Sequence, residues 1–142
     1  MFDIRLYLLI MSTLLMIECK RINVLFADDS EIHHLLFKAL LESKHRFNLM
    51  HCVINGKHLV DYIFHSAVIP DVCVLDLHMP VLNGIAACRQ IKRFFPNIVL
   101  LGFTSSSDDR EKQEMVDAGA QRIFPKECLK ELIDYLDKGS FN

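Results

Sequence analysis

Tryptophan is absent from this chain, and glycine and proline are sparse, at five and four in 142 residues. So little glycine and proline excludes collagen-like and low-complexity classes, and 51% hydrophobic content excludes an intrinsically disordered chain. No basic excess exists either. The net charge of -2 argues against a protein that binds nucleic acid non-specifically, which needs a clearly basic surface. The five cysteines (Cys19, Cys52, Cys73, Cys88, Cys128) are odd in number and contain no CxxC pair. Neither a zinc site nor a disulfide framework is expected from them, and reduced thiols in a cytoplasmic protein are the plainer reading.

A long hydrophobic run is also missing. The uncharged stretch from Leu6 to Ile17 falls short of the roughly 20 residues that span a bilayer. It suits the core of a signal peptide and follows Arg5, yet Ile17-Glu18-Cys19 offers no small-residue cleavage site. Met11 and Met16 are plausible internal starts. Residues 1–20 are therefore set apart as an apolar extension, poorly ordered or helical, and residues 21–142 as one domain. The extension has little polar face to make it an interfacial helix, so membrane contact is not expected.

From Arg21 onward two periods alternate. Ile22–Ala27 is a β-prone run ending at Asp28-Asp29, after which Ser30 is a good helix N-cap. Ile32, Leu35, Leu36, Ala39 and Leu40 then mark one apolar helix face. Leu49–Ile54 reads as a second strand closed by Asn55-Gly56, and Leu59, Val60, Ile63 and Phe64 as a second helix. Asp71–Leu77 is nearly continuous apolar sequence, the pattern of a central parallel strand covered on both faces. Asn83-Gly84 opens a third helix through Ile85, Cys88, Ile91 and Phe95, and Ile98–Phe103 is a fourth strand. A fourth helix between Asp108 and Gly119 has only Met115 and Val116 strongly apolar. Arg122–Phe124 forms a short fifth strand, followed by a last helix with Leu129, Leu132, Ile133 and Leu136 on one side. Five strands alternating with five helices predict an α/β fold, an open, doubly wound parallel sheet with helices on both faces.

In such a sheet ligands bind beyond the carboxyl ends of the strands. The polar residues at those ends are Asp28 and Asp29, Asp76, Thr104 and Lys126. A carboxylate in an apolar strand, as at Asp76, is costly to bury without a compensating charge. Three carboxylates with backbone oxygen and water make a hard oxygen shell suited to Mg²⁺. The set makes sense for phosphoryl transfer, with an Asp76 oxygen attacking in line to give an aspartyl phosphate.

At Ala27-Asp28-Asp29-Ser30, Val74–Pro80 with Asn83-Gly84, Gly102-Phe103-Thr104-Ser105, and Ala118-Gly119-Ala120 leading to Phe124-Pro125-Lys126, the chain resembles the receiver domains of bacterial two-component response regulators. The likeness runs from Arg21 to about Asp137. It implies a flavodoxin-like or CheY-like sheet of strand order 2-1-3-4-5. It makes Asp76 the phosphoacceptor, and Asp28, Asp29, Asp76 and the backbone carbonyl of His78 the Mg²⁺ ligands. It further implies that Thr104 bonds the phosphoryl group, that Lys126 pairs with it, and that a sensor histidine kinase or histidine phosphotransfer protein donates it. The family catalyses only its own phosphorylation and slow dephosphorylation, so no enzyme in the ordinary sense is expected. Only sixteen residues follow Lys126, so output is expected to pass by protein contact or phosphate relay rather than an attached domain. The output face is expected to be the fourth helix, fifth strand and last helix.

Three features depart from the family pattern. Glu127 follows the lysine where many receivers have proline, Ile123 stands at the usual aromatic switch position, and Pro125 removes a strand donor and so predicts a frayed strand end. Phosphatases of the haloacid dehalogenase type also use a strand-end aspartate, but carry a second one where this chain has His78. A degenerate receiver that binds partners without phosphorylation is a further alternative, against which the complete set of site residues speaks. Adjacent His33 and His34 are expected to point apart on their helix, as solvated or half-buried side chains. His78, two residues past Asp76, is expected to affect phosphate lifetime.

Overall fold

The computed structural model describes residues 1–18 and 20–139. Helix α1 (Ile4–Glu18) precedes a five-stranded parallel sheet of β1 (Ile22–Ala27), β2 (Phe47–Val53), β3 (Val72–Leu75), β4 (Val99–Thr104) and β5 (Ala120–Pro125). The strand order is β2-β1-β3-β4-β5, as the resemblance implies. Helices α2 (Glu31–Glu42), α3 (Gly56–His65), α4 (Gly84–Phe94), α5 (Asp109–Asp117) and α6 (Leu129–Asp137) follow the strands in turn.

Alternation along each strand divides the core in two. Val24, Phe26, Val74, Leu101 and Phe103 pack with α2 and α6 on one face. Leu25, Cys73, Leu75 and Leu100 pack with α3 and α4 on the other. All four residues of β3 are buried, which explains its unbroken apolar sequence. Side chains of Ser30, Asn55, Asn83 and Asp108 cap the starts of α2, α3, α4 and α5, accepting from first-turn amides. Four helix N-termini, with their partial positive charge, therefore meet the carboxyl ends of the strands.

The structure corrects the sequence reading in three places. In α2 the buried residues are Phe37 and Leu41, while Ile32, Leu35, Leu36 and Leu40 face solvent. The reason is a tertiary partner that periodicity does not reveal. Phe37 stacks on Phe26 at 4.1 Å between ring centroids, which turns the leucine stripe outward. Phe64 and Val116 are likewise exposed rather than core. Finally, β5 does not fray at its end. It begins at Ala120 and stays paired to the last residue, Pro125 opposite Thr104, because an edge strand has one side free of ladder bonds where a missing donor costs nothing.

Cys52, Cys73, Cys88 and Cys128 are free thiols; Cys19 lies outside the described residues. Burial pushes the Cys88 thiol up to about 12 and the Cys73 thiol higher still.

Candidate functional site

All of the sequence-predicted site residues converge on the carboxyl edge of the sheet. Asp28 and Asp29 leave β1, Asp76 leaves β3, Thr104 ends β4, and Lys126 begins the short 3-10 turn after β5. Asp28, Asp76 and Thr104 are buried, and Asp29 is exposed at the rim. One oxygen of each of Asp28, Asp29 and Asp76 lies within 4.8 Å of the others.

Lys126 crosses this cluster. Its Nζ donates to Asp76 Oδ2 at 2.7 Å and lies 3.0 Å from Asp28 Oδ2. Burial alone would lower the Lys126 ammonium, but its hydrogen bonds and charge pairing with Asp76 and Asp28 outweigh this and hold it above the usual lysine value. For Asp76 burial is the largest influence and pushes its carboxyl up, only partly offset by Lys126. Three carboxylates against one ammonium leave negative charge that a divalent cation would balance, and all the donors are hard oxygens, so the residues fit Mg²⁺.

Local sequence fixes each side chain. The Asp76 amide donates to Ala27 O at 2.9 Å, extending the β1–β3 ladder by one step and aiming the carboxylate at the β1 end. Gly84 closes the loop behind it, where an added Cβ would collide with the Asp76 carbonyl oxygen. Between them the Leu82 amide donates to Pro80 O at 2.8 Å around Val81, whose φ is 69°. Thr104 Oγ1 accepts from the Ser106 amide at 3.2 Å.

Two sets of contacts escaped sequence reasoning. His33 and His34, expected to point apart on their helix, are half-buried and both reach Asp28. The His33 Nδ1 is 3.1 Å from Asp28 Oδ2, while the His34 ring bonds the Asp28 carbonyl oxygen. Both are in the opening turn of α2, its third and fourth residues, close enough to the preceding strand end to fold back. On the opposite rim, His78 Nε2 lies 3.0 Å from Glu111 Oε2, which also accepts from Ser106 Oγ at 2.7 Å. Glu111 thus joins the loop after Asp76 to the loop after Thr104. It is 33 residues from His78, a pairing with no local sequence signal. Ile123, at the position where an aromatic was absent, is half-buried against the Gly102 backbone beside Met115.

The family model for the response regulator receiver domain matches residues 24–137. Among curated proteins, the chain is 34% identical over 107 residues to a protein-glutamate methylesterase/protein-glutamine glutaminase of Vibrio parahaemolyticus, covering 74% of this chain and 28% of that protein. A counterpart from Methanospirillum hungatei is 32% identical over 107 residues, covering 74% and 30%. The chain thus spans under a third of the length of these relatives. Among solved structures, the response regulator domain of Thermotoga maritima CheB superposes with a TM-score of 0.73 at 23% identity, covering 84% of this chain and 92% of that one. The receiver domain of a putative response regulator NarL from Mycobacterium tuberculosis gives 0.77 at 16% identity, covering 84% and 96%. By its family match and by the fold it shares with these domains, the chain belongs to the response regulator receiver domains of two-component signalling.

Proposed function

We propose that the domain is a switch that takes a phosphoryl group on Asp76 from a phosphohistidine of a sensor kinase or phosphotransfer protein. The observation that carries this reading is Lys126, seated 2.7 Å from Asp76 and 3.0 Å from Asp28, two of three converging carboxylates. An Asp76 oxygen attacks phosphorus as the P–N bond to the donor imidazole breaks, and the bonding pair returns to the ring. Lys126 and the Thr104 hydroxyl take up phosphoryl oxygens, and first-turn amides of the capped helices add partial positive charge. Mg²⁺, held by Asp28, Asp29, Asp76 and the His78 carbonyl, would neutralise charge on the transferring group.

The solvent-facing stripe of Ile32, Leu35, Leu36 and Leu40 starts beside the acid pair, which suits it to receive the donor protein. The state of Asp76 is read out on the face of α5, β5 and α6, reached through Thr104 and Lys126. The output is protein contact in the cytoplasm, without nucleic acid. The methylesterase and glutaminase activities named for the relatives form no part of this reading.

Intact mass after incubation with acetyl phosphate and Mg²⁺ tests it. The native chain gains one phosphoryl group, and the gain disappears in Asp76→Asn and on chelation of the metal. A normal gain in Asp76→Asn would refute the assignment.

A further inference from the structure

Helix α1 stands apart from the core. Every side chain from Met1 to Met16 is exposed, and apolar residues lie on all sides of the helix, among them Leu6, Leu8, Leu9, Ile10, Leu14 and Leu15. A helix apolar all round belongs in a core or in lipid. The two core faces of the sheet are already filled by α2 and α6, and by α3 and α4. A coiled-coil partner would need one apolar seam with polar flanks, which α1 lacks.

The small polar side chains of its middle turn are satisfied within the helix. Ser12 Oγ and Thr13 Oγ1 both donate back to Leu9 O, at 2.9 and 2.8 Å, so the middle of α1 carries no side-chain hydroxyl in need of water. Asp3 caps the first turn by accepting from the Arg5 amide at 2.9 Å. Where α1 leads into β1 the character changes. Lys20, Arg21 and Arg46 line a groove at the amino edge of the sheet, with Asp71 and Asn97. The Asp71 carboxylate accepts from the Asn23 amide, and Arg46 is paired with Asp137. Lys20 and Arg21 are exposed and have no ion-pair partner among the described residues.

We propose that α1 and this basic rim seat the domain on an anionic lipid surface. The helix enters the bilayer without spanning it, since 15 residues reach only about 22 Å against a hydrocarbon core of about 30 Å. Lys20 and Arg21 meet lipid phosphates at the headgroup level. The amino edge of the sheet then faces the membrane, and the acid site at the carboxyl edge faces away, open to protein partners.

Vesicle flotation of the full chain tests this. Vesicles of phosphatidylcholine with phosphatidylglycerol carry the native chain upward. Vesicles of phosphatidylcholine alone, or 0.5 M salt, leave it about tenfold less bound. The double variant Leu9→Asp/Leu14→Asp stays at the bottom while phosphate uptake on Asp76 is unchanged. Lys20→Glu/Arg21→Glu floats poorly on the anionic vesicles only. Equal flotation of native chain and Leu9→Asp/Leu14→Asp, or none by the native chain, overturns the proposal. So does a soluble dimer that dissociates in Leu9→Asp/Leu14→Asp without vesicle binding, which would make a second copy the occupant. Because phosphorylation is read separately by mass, failure here leaves the reading of Asp76 untouched.

Discussion

The two rims of the site are built differently. On the β1–α2 rim, Asp28 receives the Ser30 amide at 2.8 Å, the His33 ring at 3.1 Å and Lys126 at 3.0 Å, and α2 is fastened to the sheet by the stacked pair Phe26 and Phe37. On the β4–α5 rim, Thr104 Oγ1 holds one amide at 3.2 Å, and α5 buries a single residue, Met115. A site that must first hold a charge and then report it needs one rim that stays and one that moves. Few buried contacts give low local stability, and α5 buries fewer residues than any other of the five helices packed on the sheet.

Truncating the apolar anchor of each rim is the strongest way to break this contrast. Phe37→Ala is expected to cost about 3–5 kcal/mol of global stability in urea unfolding, as a buried aromatic does. Met115→Ala is expected to act locally, speeding hydrogen exchange across Asp109–Asp117 far more than across Glu31–Glu42. Uniform acceleration over both helices would show that the rims are equally firm.

A smaller effect tests the electrostatics of the fixed centre in metal-free buffer. Burial raises the Asp76 carboxyl, so the folded chain binds its proton more tightly than the unfolded chain. Stability is therefore lost as pH rises through this range, and the ionised Asp76 is a burden at neutral pH. Asp76→Asn is expected to raise the melting temperature at pH 7 and to lose that advantage as pH falls through the raised Asp76 range, with none left below about 4. A lower melting temperature at pH 7 would mean that pairing with Lys126 outweighs burial.

The smallest expected effect sharpens the moving rim. Glu111→Ala removes the acceptor shared by His78 and Ser106, both partly exposed to water. The cost in global stability is expected to be under about 1 kcal/mol, since such pairs are weak near solvent. Exchange in the first turn of α5 rises, and so does the spread of phosphate lifetimes among further variants at His78. No change in α5 exchange would leave Glu111 as mere surface charge.

These contrasts explain what was readable in the chain. Strand ends were legible because β3 is covered on both faces and the helices after the first four strands each open on a capping side chain. Asp28, Asp76, Thr104 and Lys126 could be assembled from that alone, once the order of the strands was supposed. The direction of α2 was not legible, because Ile32, Leu35, Leu36 and Leu40 obey helical periodicity as well as Phe37 and Leu41 do. Only the ring of Phe26 decides between them. Nor could the bridge through Glu111 be read, since it joins two loops that the sheet alone brings together.

Val81 carries a consequence for how this sequence can drift. The bond from Leu82 to Pro80 closes a three-residue turn whose middle residue sits at φ 69°, a conformation that a β-branched side chain adopts only under strain. Its tenure there costs on the order of 1–3 kcal/mol. The usual rule of mutational tolerance, by which exchanging a valine for glycine loosens a fold, is inverted at this position. The side chain is 82% exposed, so no packing is forfeited when it goes. Here the chain keeps in reserve a substitution that could offset a harmful change elsewhere, a margin for divergence lying five residues from the phosphoacceptor.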